Sequence, residues 1–293
     1  MLLAALAPSW LALSWLVSKA KWFWTHNPEL QFGWVMLLLC GYLLWEAWEI
    51  RPQPVWRLDS SVVLSCVAGC ALLAITQLYQ AAYGLTAASM SGLAMGALLV
   101  IAGNLATVFG WNGARHFAFA FAFILFSLPI PSFIYSPIVL GLQKIVAVIN
   151  VELLNLAGIA AMQTGSLIRL PTGTVGIDEA CSGIRSMQST IMATLFIGYL
   201  TLKSLSLRVM LFGLGIGLAI FGNLIRSLFL SFVANAQGVQ SIERFHDAAG
   251  WSILLFTAAG VALLAFLLAR VEKRSHSKMY VHPGLGNCSA DQR

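Results

Sequence analysis

Charge is what this chain has least of: 17 basic and 11 acidic residues in 293, or 10%. Soluble domains carry roughly 25%. With 59% apolar residues and a mean hydropathy of +0.83, an ordinary water-soluble domain is excluded. The net charge of +6 does not point to nucleic acid either, because the basic residues are scattered between apolar runs. Cysteine is sparse too. Of the five, Cys40, Cys66 and Cys70 lie inside apolar runs, where a thiol behaves as a small hydrophobe, and Cys288 sits in a polar tail. That leaves no disulfide framework. Cys66 and Cys70 share a helical face, but zinc usually takes four ligands and no others stand nearby, so no metal or other cofactor is expected. The chain has no phosphate loop, no His-Glu-x-x-His helix, no Gly-x-Ser-x-Gly elbow and no redox Cys-x-x-Cys pair. Internal repeats and low-complexity linkers are absent as well. A single integral-membrane domain over 1–274 is expected, followed by a disordered cytoplasmic tail over 275–293.

What the chain has in quantity is apolar runs approaching the ~20 residues that a helix needs to cross the hydrocarbon core. They predict an all-α polytopic membrane protein with about eight spans, near 2–17, 31–48, 60–80, 87–109, 116–131, 183–202, 207–233 and 250–270. Lysine and arginine mark cytoplasmic loops. Arg51 and Arg57, Arg115, Lys203 and Arg208, and the group Arg270, Lys273, Arg274 and Lys278 fall in every second connection. This pattern puts both termini in the cytoplasm, with Lys19 and Lys21 counting against it. The tryptophans Trp22, Trp24, Trp34, Trp45, Trp48 and Trp56 read as interfacial anchors.

The stretch 132–162 is apolar yet contains Gln143, Lys144, Asn150, Glu152 and Asn155. Were it to cross, the orientation of everything before it would invert. It therefore reads as an amphipathic or half-buried helix on the outer face, entered through Leu128-Pro129-Ile130-Pro131, where proline ends the preceding helix. Ser166 to Leu170, then Pro171-Thr172-Gly173, then Thr174 to Ile177 reads as a short β-hairpin. It leads to Gly176-Ile177-Asp178-Glu179-Ala180-Cys181-Ser182-Gly183-Ile184-Arg185-Ser186, at the outer entrance of the sixth span.

Three costly residues approach that outer face. Cys181 stands at or within a turn of a helix N-terminus, where the macrodipole favours a thiolate. Asp178 and Glu179 oppose this, so activation requires a cation; an inert buried thiol is the alternative. Ser182 and Gly183 after it permit close backbone approach. Arg226 lies about seven residues below the outer end of its span, roughly 10 Å deep at 1.5 Å per residue. An arginine inside the bilayer usually faces a polar cavity, though it can also snorkel or pair with a carboxylate. Asn223 shares its face and could orient the guanidinium. His246 precedes the last span at interfacial height, where an imidazole can serve as acid and base or simply stand solvated. Arg185 is one turn from Cys181 and competes with Arg226 as the charge that steadies an oxyanion; Gln188 and Ser189 continue its stripe. Gly213 and Gly217 form a small-xxx-small face suited to close helix packing.

Glu179-Ala180-Cys181-Ser182-Gly183-Ile184-Arg185-Ser186, then Asn223-x-x-Arg226, then His246 ahead of a last apolar helix, together resemble the exosortase/archaeosortase family. The resemblance is strongest over 115–270. It implies a multi-spanning inner-membrane cysteine protease or transpeptidase, associated with exopolysaccharide production. Its substrates would be exported proteins that end in a short motif (PEP in the commonest class), a hydrophobic helix and a basic tail. Matching motifs imply Cys181 as nucleophile, Arg226 as transition-state arginine and His246 as acid/base, with Arg185, Asn223, Ser182 and Glu179 in support. The competing expectation is a transporter that binds an anion or small solute at Arg226; paired repeats, frequent in transporter folds, are missing.

Overall fold

The computed structural model describes residues 2–176 and 184–280, the backbone alone at 184–185 and 275–280. The chain divides into two compact units, Met1–Ile138 and Val139–Arg293. It is a multi-span, largely α-helical membrane protein. Five helical stretches among the described residues are long and apolar enough to cross a bilayer: Ser60–Tyr83, Ala87–Ser127, Ser132–Leu156, Leu205–Gln237 and Val239–Arg274.

The first unit holds α1 (Leu2–Ala5), α2 (Ala7–His26), α3 (Gly33–Glu49), α4 (Ser60–Tyr83) and α5 (Ala87–Phe123), then a 3-10 turn (Ile124–Ser127) and the start of α6 (Ser132–Leu156). Local sequence sets the boundaries. Gly84, at φ 77°, closes α4, and Thr86 and Ser89 form a reciprocal capping box that opens α5. Gly110 (φ 71°, ψ 170°) breaks α5 in a conformation that side chains avoid. The rings of Phe109 and Phe117 lie 5.5 Å apart across it, whereas a straight helix would separate those residues by ~12 Å along its axis. The chain therefore bends back on itself here, between the fourth and fifth expected spans. Trp24 departs from expectation: it is fully buried and donates from Nε1 to the Ser127 carbonyl at 2.9 Å, so it is a core residue and not an interfacial anchor.

The second unit holds the rest of α6, a three-stranded antiparallel sheet, α7 (Ile184–Thr201), α8 (Leu205–Gln237), a 3-10 turn (Val239–Ser241) and α9 (Ile242–Tyr280). The sheet order is β1-β2-β3, with β1 Met162–Thr164, β2 Leu167–Leu170 and β3 Gly173–Gly176. The expected hairpin is β2–β3, and β1 is an added strand. Met-Gln-Thr alone carries no alternating pattern, so only the Gly165-Ser166 turn hinted at it. Ile168, Leu170 and Val175 point inward from the sheet onto Leu230 and Ala234 of α8, Ala249 of α9, and Val146 and Leu154 of α6.

Helices α7, α8 and α9 pack side by side. Gly215 lets α8 approach α7 so closely that an added Cβ would lie 2.3 Å from Thr194 Cγ2. Gly213 and Gly217, the pair expected to do this, meet nothing described within 4 Å; the contact face is shifted round the helix to Gly215 and Gly222. At one end of the bundle, Leu202, Leu211, Ala265 and Leu268 form a small core. There the Glu272 carboxylate accepts the backbone N–H of Lys203 at 3.0 Å and of Ser204 at 2.6 Å, closing the α7–α8 connection and serving the open N–H groups where α8 begins.

The expectation of eight separate spans is not matched element by element. Spans four and five fall in one assigned helix interrupted at Gly110, α3 has only 17 residues, and α2 begins later and runs further than 2–17. Helix α6 covers Ser132–Leu156 of the expected 132–162; it is half-buried, and it is also long and apolar enough to cross, where a helix lying on the outer face was expected. Two of its polar residues, Gln143 and Asn150, are buried with Val146, Ala147 and Leu154 on one face, which removes much of the apparent amphipathicity. Helix α9 continues to Tyr280, beyond the expected start of the tail at Ser275.

Candidate active site

Arg226 and His246 lie on consecutive helices that run antiparallel, so residues equally far from the connecting turn meet. Gly260 faces Leu218, Gly222 faces Ile253 and Thr257, and Gly250 faces Arg226. Arg226 is 11 residues from Gln237, the last of α8, or ~16 Å by helical rise, deeper in its helix than the sequence suggested. His246, expected just before the final span, lies within that helix. Helix α9 already begins at Ile242, and its polar first turns carry Glu243, Arg244, His246 and Asp247.

The two side chains touch: Arg226 Nη2 lies 3.0 Å from His246 Nε2. A guanidinium has donors only, so Nε2 must accept. The imidazole then carries its proton on Nδ1, where Asp247 Oδ1 is 3.3 Å away and can accept it. His246 is half-buried, whereas Asp247 is 93% exposed, so this hydrogen bond competes with water and is a weak tether. Gly250 adjoins the guanidinium; a Cβ there would be 3.5 Å from Arg226 Nη2, in ordinary contact. Beside the pair opens a groove of about 290 Å³, lined by Ile225, Phe229, Phe245, Ser252 and Ile253, with Arg226 as its charged wall.

Asn223, one turn before Arg226, is buried at 3% exposure. Sequence reasoning missed Ser227 and Asn150. Ser227 follows Arg226 and accepts from the amide of Asn150 on α6; Asn150 is wholly buried and its Oδ1 has no hydrogen-bond partner among the described residues. The asparagine in the ambiguous apolar stretch was the available signal. Gln188, placed on the stripe after Arg185, also buries its Oε1 without a partner among the described residues.

Of the remaining expected site residues, Glu179, Cys181 and Ser182 lie outside the described residues, and Arg185 is described by its backbone only. The helix that follows Cys181 starts at Ile184. Thr190 and Thr194 of α7 both face Gly215 of α8. Going from that contact toward Ile184 on α7 is going toward Arg226 on the antiparallel α8. The start of α7 is therefore at the Arg226–His246 end of the bundle. Lys203 and Arg208, with Arg270, Lys273 and Arg274 beyond the small core, mark the opposite end. No group of three or more histidine, cysteine or acidic side chains suited to a metal occurs among the described residues.

Residues 24–265 match the family described as "Transmembrane exosortase (Exosortase_EpsH)". No curated protein and no solved structure matches the chain. The match takes in the buried Trp24, the contact between Arg226 and His246, and all but the end of the last helix, and by it the chain belongs to the exosortase family.

Proposed function

We propose that this protein is a cysteine endopeptidase or transpeptidase of the bacterial inner membrane that cuts the C-terminal sorting tails of exported proteins. Cys181 is the nucleophile, Arg226 the oxyanion stabiliser and His246 the acid and base. The observation that carries this reading is the 3.0 Å contact between Arg226 and His246. It joins two of the three residues picked from sequence, at the end of the bundle where the helix behind Cys181 begins. Basic residues gather at the other end, and such residues stay in the cytoplasm. The site then faces the periplasm, with the end of α9 in the cytoplasm.

The chemistry follows from what each group can donate or accept. A substrate carbonyl entering the site draws the guanidinium away from His246, and this frees Nε2. The Cys181 thiol gives its proton to Nε2, and its sulfur attacks the carbonyl carbon at the sorting motif. Arg226 donates to the oxyanion that forms, in a setting of low dielectric where such bonds are worth most. The oxyanion collapses, the C–N bond breaks, and the imidazolium protonates the leaving amine. An acyl group remains on Cys181 as a thioester. Water or an acceptor amine attacks it, passes a proton to Nε2 and releases the product. The substrate's apolar tail helix lies against the bundle in the bilayer, which accounts for a peptidase built from membrane spans.

Processing of a tail-bearing partner protein, followed by its shift in mobility in cells, tests the proposal. Cys181→Ala should abolish the shift while the variant still accumulates in the membrane. Processing at the wild-type rate would sink it.

A further inference from the structure

The sheet next to the site has one edge that no described strand covers. In a two-residue hairpin the residues flanking the loop exchange both backbone hydrogen bonds, and pairs further out alternate between bonded and non-bonded. Leu170 pairs with Gly173 across Pro171 and Thr172, so Ile168–Val175 is the next bonded pair. Arg169–Thr174 and Leu167–Gly176 are the non-bonded pairs. The N–H and C=O groups of Thr174 and Gly176 therefore point away from β2, along the open edge of β3. Among the described residues no strand pairs with that edge. The opposite edge, on β1, offers only the backbone of Gln163, whose side chain is turned back to Gly165 and toward Lys144 on α6.

The open edge belongs to the site's own packing. Val175, between the two outward-pointing residues, is buried in the cluster that holds Leu230 and Ala249, with Phe245 packed against it. Phe245 precedes His246, and Leu230 is one turn past Arg226. Thr172 Oγ1 donates to the Ala234 carbonyl at 3.0 Å and fixes the hairpin loop on the last turns of α8. Gly173 meets Val239 in the turn that leads into α9. The strand ends at Gly176, five residues before Cys181 in the chain.

We infer that the edge of β3 binds the substrate as an added antiparallel or parallel strand, with Thr174 and Gly176 holding alternate residues of the peptide backbone. An extended backbone is the one partner that matches a row of donors and acceptors at strand spacing, and peptide capture by strand addition works in this way. Sequence-independent grip then comes from the β3 backbone, leaving side-chain selection to the groove beside Arg226. The inference rests on the peptidase reading and supplies its substrate geometry.

The test uses the full-length Cys181→Ala protein in nanodiscs and a synthetic peptide spanning the sorting motif of a tail-bearing partner. Residue-resolved hydrogen exchange should show the Thr174 and Gly176 amides slowed by the peptide, with Val175, already bonded to β2, unchanged. Single N-methylation along the peptide should weaken binding by about five- to tenfold at every second residue and little between, the worth of one backbone hydrogen bond. Protection confined to other segments, a flat N-methyl profile or absence of binding would each overturn the inference. Cleavage that needs Cys181 alongside a flat profile would refute strand addition and leave the peptidase reading standing. Alternating protection without cleavage by the wild-type protein would do the reverse.

Discussion

The contact between Arg226 and His246 predicts that the two residues fail as a unit. Loss of an oxyanion donor costs about 10²–10³ in rate, and loss of a general acid–base about 10²–10⁴. Were the roles independent, Arg226→Gln combined with His246→Asn would lose the product, on the order of 10⁴–10⁷. The 3.0 Å separation argues otherwise. With Arg226 gone, Nε2 lacks the donor that sets its tautomer and orientation; with His246 gone, the guanidinium loses the contact that holds it beside the imidazole. The double variant should therefore be slower than the worse single variant by less than about tenfold, as found where catalytic groups act together. Arg226→Lys should fall between wild type and Arg226→Gln, because an ammonium retains the charge but not the planar fork. The assay is single-turnover cleavage of a tail-bearing partner in membranes, with variant amounts matched by immunoblot. Multiplicative losses would refute the reasoning and show that the contact carries no shared function.

Three further outcomes concern stability, read as unfolding midpoints in detergent. Gly215→Ala forces a methyl to within 2.3 Å of Thr194 Cγ2, so α7 and α8 must part at a cost of about 1–3 kcal/mol, and adding Thr194→Ser should recover most of it. An unchanged midpoint for Gly215→Ala would mean the helices are less tightly packed than described. Glu272→Ala leaves the Lys203 and Ser204 N–H groups without their acceptor and should cost about 1–3 kcal/mol, with Glu272→Gln losing less. Equal midpoints for Glu272→Ala and wild type would refute that clamp. Trp24→Phe strands the buried Ser127 carbonyl and should lower the midpoint by about 1–3 kcal/mol, whereas Trp22→Phe, at an exposed position, should not; matching midpoints for the pair would place Trp24 at the surface after all.

Much of this architecture was legible in the sequence, because apolar length and charge placement are one-dimensional signals. The expected 60–80 and 183–202 correspond closely to Ser60–Tyr83 and Ile184–Thr201, and the break after 109 falls at Gly110. Helix ends were less legible where polar sequence continues a helix beyond the apolar run. The last apolar run starts near 250, because Glu243, Arg244 and Asp247 are polar, yet nothing in them interrupts helical geometry and α9 begins at Ile242. Placement of Arg226 and His246 at one end of the bundle followed from charge; their direct contact did not, since it depends on the register of α8 against α9, which is set by Gly222, Gly250 and Gly260. Burial of Trp24 and the polar contact between Asn150 and Ser227 depend on which helices are neighbours. Composition cannot state that.

Both members of the Arg226–His246 pair reside on the last helical hairpin, joined by the short Val239–Ser241 turn. Synthesis reaches this hairpin after the spans that precede it, so the arginine enters the bilayer well before its histidine partner exists. On the proposed mechanism, His246 cannot manage protons at Cys181 until α9 inserts. On that reading the nascent protein is latent: competence arrives with α9, and a chain cut short before Ile242 would be inert, however well its earlier spans had assembled.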